Sequence, residues 1–101
     1  MGQVMDLIGE DYLQEYAKKH PNALSSLARW LRLTEGASWK TFQDVKTSFP
    51  ATDYIPQNQY CFDIGGNKYR LMTAISFQLG TVTILNCMTH AEYGKKKLGL
   101  R

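Results

Sequence analysis

Metal-binding and redox residues are scarce in this chain. It has two cysteines and two histidines in 101 residues, and Cys61, Cys87, His20 and His90 do not cluster at ligand spacing. That argues against zinc-finger readings, CxxC redox motifs and any resident metal. Both cysteines fall inside apolar strand patterns, so two buried free thiols in a cytoplasmic protein are expected. Long apolar runs are missing as well. No stretch approaches the roughly 18 residues of a transmembrane helix. The start, MGQVMDLIGEDY, has no basic flank and no sustained apolar core, so neither a signal peptide nor a membrane partner is expected. There is no internal repeat, linker or low-complexity segment. What is present suffices for a core: 44% hydrophobic and 12% aromatic residues argue against disorder. By length, residues 1–101 form one domain.

Acidic residues thin out along the chain. Residues 1–63 carry six basic and eight acidic side chains, a balance of −2, whereas residues 64–101 carry six basic and only Glu92 as acid, a balance of +5. A basic half on a near-neutral protein attracts phosphate. The run Lys95–Lys97 alone is best read as a solvated tail. Lys68 and Arg70 are different, because they lie in a strand pattern on one of its faces.

The order of elements follows from periodicity. Val4 to Ile8 is apolar enough for a first strand. Glu10 to Lys19 has apolar residues at helical spacing, acids leading and bases ending, and His20-Pro21 stops it. Pro21 suits the first turn of a second helix with the stripe Leu24, Leu27, Ala28, Leu31 and Gly36 as its stop. Ser38 is the expected N-cap of a short third helix through Val45. Pro50 and Pro56 bracket an irregular passage around Asp53-Tyr54-Ile55. Then the period becomes strand-like. Tyr60–Ile64 leads into a tight turn at Gly65-Gly66-Asn67, followed by strands Lys68–Phe77 and Thr81–Met88. The expected fold is α+β, with N-terminal helices packed on a small antiparallel β-meander and a short C-terminal helix.

That last helix begins in NCMTHAEYGKKK. Thr89-His90-Ala91-Glu92 matches a capping box, which puts His90 at the first helical position and Tyr93 three residues on. Capping boxes are common. On spacing alone, His90 is more simply an exposed helix start and Tyr93 a ring packed on the sheet. Together with Lys68 and Arg70 from the neighbouring strand, however, they make a group suited to RNA. A guanidinium can grip phosphate with two hydrogen bonds, an imidazole can move protons near neutral pH, and a phenol can stack on a base.

The pairing of GGNKYRL with MTHAEY resembles the HigB-type toxins, RelE-like mRNA interferases of type II toxin–antitoxin systems, and an early EYAKKHP resembles their first helix. The resemblance implies a RelE-like fold, metal-independent and cofactor-free endoribonuclease cleavage of mRNA on the ribosome with inhibition of translation, and neutralisation by a HigA-type helix-turn-helix antitoxin. Operator DNA would be bound only through that antitoxin. It also implies roles. Arg70 falls on the strand arginine that contacts the scissile phosphate, His90 and Tyr93 fall on the C-terminal catalytic pair, and Asn67 and Lys68 fall on the polar approach to RNA. Lys95 and Lys96 extend that basic, RNA-binding surface. The chain departs from the pattern at Gly94, where many members carry an acidic residue. The rival reading is a catalytically inactive RNA-binding or regulatory module of the same fold.

Overall fold

The computed structural model describes residues 4–97, with side chains described as far as Gly94. Strand β1 (Asp6–Ile8) runs into helix α1 (Glu10–Lys19), and a single 3-10 turn at Pro21–Ala23 precedes α2 (Leu24–Glu35). Helix α3 (Phe42–Ser48) is followed by β2 (Asp53–Ile55), β3 (Gln59–Ile64), β4 (Tyr69–Ser76), β5 (Thr81–Thr89) and α4 (His90–Lys97). The strands form one sheet in the order β1-β5-β4-β3-β2. Strands β2 to β5 pair antiparallel, and β1 adds to β5 in parallel. The fold is therefore α+β as expected, but the sheet is mixed and wider than a meander.

One sheet face is the core. Alternate strand residues (Tyr60, Phe62, Ile64; Tyr69, Leu71, Ile75; Val82) meet Leu13 and Ala17 of α1, Leu27 and Trp30 of α2, and Val45 of α3. Phe62 is the hub. Its ring lies 5.3 Å from Trp30, 5.3 Å from Phe49 and 6.2 Å from Trp39. Edge-to-face and offset geometries of this kind add to the stabilisation from area burial. The opposite face carries Cys61, Asp63, Arg70 and Met88.

Four local expectations need correction. The second helix begins with a 3-10 turn at Pro21, and its buried stripe is Leu27, Trp30 and Thr34, whereas Leu24 and Ala28 face solvent. The third helix is capped by Thr41, not Ser38: the Thr41 hydroxyl accepts from the Asp44 amide, and the Asp44 carboxylate accepts from the Thr41 amide. Asp53–Ile55, expected to be irregular, is an edge strand on β3, joined to it through Gln57 and Asn58 at positive φ. Lys68 belongs to the turn between β3 and β4, not to the strand. Three successive residues there have positive φ (Gly65 65°, Gly66 62°, Asn67 78°), which glycine and asparagine tolerate best.

Candidate active site

Arg70 organises the outer sheet face. It sits near the start of β4, with Asp63 of β3 and Met88 of β5 as its cross-strand partners. The side chain is almost entirely buried, at 8% exposure for the residue. A charged group so placed needs partners, because burying it unpaired is costly. Here Nε lies 3.1 Å from Asp63 Oδ1 in an ion pair, and Nη1 donates to the carbonyl oxygens of Asn67 and Tyr69, both at 3.3 Å. Nη2 has no partner among the described residues. The Tyr93 ring covers the guanidinium, its centroid 5.6 Å from the guanidinium carbon, within cation–π range.

The capping box aims that ring. The Thr89 N–H donates to Glu92 Oε1 at 2.8 Å and the Glu92 N–H donates to Thr89 Oγ1 at 3.2 Å, so β5 turns directly into α4. A second tie fixes the helix start to the neighbouring turn, since the His90 N–H donates to the Lys68 carbonyl at 2.8 Å. Tyr93, one turn along, is thereby laid over Arg70, and the His90 side chain is exposed.

Electrostatics distinguishes the groups. Burial first, and then the Cys61 thiol beside it, raise the Tyr93 phenol above its ordinary value of 10.0. Burial likewise pushes Cys61 up to about 11, even though hydrogen bonding to Tyr93 and the charge of Arg70 pull it down. Cys87, on the core side, is pushed up to about 12 by burial. Both cysteines are free and buried, as expected, and near neutral pH neither offers a thiolate nucleophile. Among the described residues, no three His, Cys, Asp or Glu are grouped so as to hold a metal ion, and no helix is long and apolar enough to cross a membrane.

Five of the seven residues singled out in the sequence meet at one corner. Arg70 and Tyr93 are in contact, Asn67 takes part through its backbone carbonyl, and Lys68 and His90 are joined through their main chains. The Lys68 and Asn67 side chains are exposed. Lys95 and Lys96 belong to α4, but their side chains lie outside the described residues. Asp63 was not anticipated. The signal was present: an acid in an otherwise apolar strand, opposite the arginine once the turn is counted as Gly65–Lys68. Counting the turn as Gly65–Asn67 shifts the register and hides the pair.

Comparison with known proteins identifies the family. The family described as "HigB_toxin, RelE-like toxic component of a toxin-antitoxin system" matches residues 23–96, a segment that holds every candidate site residue. The chain is 29% identical over 93 residues to an mRNA interferase HigB of Escherichia coli O6:H1, covering 90% of each chain. It is 29% identical over 92 residues to an mRNA interferase HigB of Shigella flexneri, covering 88% of each. The strand–turn–helix corner around Arg70 thus lies within a recognised family segment, and the chain belongs to the HigB toxin family, RelE-like toxic components of toxin–antitoxin systems.

Proposed function

We propose that this chain is an endoribonuclease that cuts mRNA while it is being translated on the ribosome. The observation that carries this reading is the Arg70 guanidinium, buried under Tyr93, ion-paired with Asp63 and hydrogen-bonded to two carbonyl oxygens, with Nη2 left over for a ligand. As a stabilising device such a pair is poor, because desolvation offsets much of the attraction. As a preorganised donor for charge that develops on a phosphate, it is well suited.

The ribose 2′-OH loses its proton and attacks the adjacent phosphorus. The bond from phosphorus to the 5′-oxygen breaks, and that oxygen takes up a proton. The products are a 2′,3′-cyclic phosphate and a 5′-hydroxyl, so no water is consumed in the step. Arg70 stabilises the added charge on the phosphorane. His90 moves protons as general base or acid. Tyr93 stays protonated near neutral pH, given the direction of its shift, so it stacks on a base or donates to the phosphate. Lys68, Asn67, Lys95 and Lys96 guide the RNA backbone. The step uses only groups of this chain and of the RNA. A HigA-type helix-turn-helix antitoxin neutralises the toxin, and operator DNA is reached through that antitoxin.

Mapping mRNA 5′ ends after brief induction tests the reading. New ends confined to translated regions are expected, and none with Arg70→Ala. Growth arrest without new ends, or ends scattered equally over untranslated RNA, would contradict it. A silent RNA-binding module would give neither ends nor arrest.

A further inference from the structure

We infer that Asp63 is a positioning residue, whose carboxylate fixes the Arg70 guanidinium so that its Nη2 edge faces the phosphate of a bound RNA. This rests on the ribonuclease reading above. A carboxylate beside a phosphate contact repels the substrate, so its presence calls for a compensating gain. The geometry supplies one. Asp63 stands at the Nε side of Arg70 as an ion pair, with Oδ1 3.1 Å from Nε. The usual end-on fork would occupy both terminal nitrogens and shut phosphate out. A contact at Nε leaves the Nη2 hydrogen at the end of the fork open and restrains rotation of the long arginine side chain.

The hairpin makes that orientation rigid. Asp63 and Arg70 are register partners, and the next pair outward, Ile64 and Tyr69, is buried in the core. A one-residue slip of either strand would send its member of that pair to solvent, so the register holds. Two carbonyls, from Asn67 and Tyr69, take Nη1 and complete the clamp. The carboxylate itself is not sealed in. Its side chain is 28% exposed against 10% for Arg70, and it lines the cleft shared with Arg29, Phe49 and Gly66. Water can hydrate Asp63 from there while Arg70 stays buried, which softens the cost of placing an anion at the site.

Single-turnover cleavage on mRNA-programmed ribosomes, run over a ribosome concentration series, tests this with Asp63→Asn, Asp63→Glu and Arg70→Ala. Asp63→Asn should lower the maximal rate on the order of 10- to 10²-fold, the scale of a misplaced catalytic group. The half-saturating concentration should change by less than about threefold, because alignment matters in the transition state rather than in binding. Asp63→Glu should recover only part of the rate. In an Arg70→Lys background, which has no Nε edge, Asp63→Asn should add little further loss. Thermal melts of each variant accompany the rates. The inference is overturned if Asp63→Asn cleaves at the normal rate, or faster, which would mean that the carboxylate competes with phosphate. It is equally overturned if the lost rate merely follows the unfolded fraction. Normal cleavage by Arg70→Ala would instead sink the ribonuclease reading of the corner itself.

Discussion

An arginine has five N–H groups, and Arg70 commits its Nε and Nη1 sides to the protein while Nη2 keeps none of the described partners. Its two companions on α4 carry different expectations. His90→Ala should leave the melting temperature unchanged, since the side chain is exposed and its structural tie is a main-chain one. Cleavage should fall by roughly 10²-fold or more, the usual scale for a general acid–base group. Tyr93→Phe keeps the ring over Arg70 and removes the hydroxyl. Retained cleavage means that stacking suffices, and lost cleavage means that the phenol proton is used. Melts and single-turnover rates of the two variants, side by side, separate chemistry from structure.

The buried thiols give a pH expectation. In the unfolded chain they ionise near 9.0, whereas in the fold they hold their protons up to about 11 for Cys61 and about 12 for Cys87. Their contribution to stability is therefore complete below pH 9.0 and is lost as pH rises toward 11 and 12. The melting temperature should fall across that alkaline window. It should fall less in a Cys61→Ala, Cys87→Ala double variant; an identical decline in the two proteins would refute the cause.

At the scale of elements, α4 depends on its cap. Thr89→Ala removes one of the two reciprocal hydrogen bonds and should cost about 1 kcal/mol. In a domain of this size that lowers the melting temperature by roughly 4–8 °C. Cleavage should drop moderately too, because the same turn aims Tyr93 at Arg70. An unchanged rate would show that the helix start is held by the His90–Lys68 main-chain bond alone.

Both capping boxes are visible in the sequence. Thr89 has Glu92 three residues on. Thr41 has Asp44 in the same relation, whereas Ser38, the expected cap, is followed at that distance by Thr41, which cannot accept charge-assisted bonds in the same way. Helix α1 was legible to the residue because dipole-matched charges and a proline mark its ends. Strand β1 was legible as an apolar stretch, but its place in the sheet was not, and β2 was not legible at all. β2 is three residues between prolines, too short for a period to show, and β1 pairs with β5 across most of the chain length, which no local pattern encodes. In the site, residue types and the cap revealed Arg70, His90 and Tyr93 as candidates. Asp63 stayed hidden because its role depends on hairpin register.

For the molecule as a whole, the charge asymmetry and the family point to two kinds of partner. The balance of +5 over residues 64–101 suits a phosphate-rich surface, whereas residues 1–63 are net acidic. A free toxin would harm its own cell, so a neighbouring helix-turn-helix protein should co-purify with this chain as a tight complex, and that complex should bind operator DNA. Recovery of the chain alone, abundant and harmless, would count heavily against the toxin reading.

Cleavage of RNA at the Arg70 corner can be tested directly. The most direct measurement is single-turnover cleavage of mRNA on programmed ribosomes by purified wild-type protein and Arg70→Ala, with melting curves of both. Arg70→Ala should be folded with cleavage abolished, and Arg70→Lys should rescue weakly, since an ammonium cannot reproduce the planar fork. Cleavage by folded Arg70→Ala at the wild-type rate would contradict it.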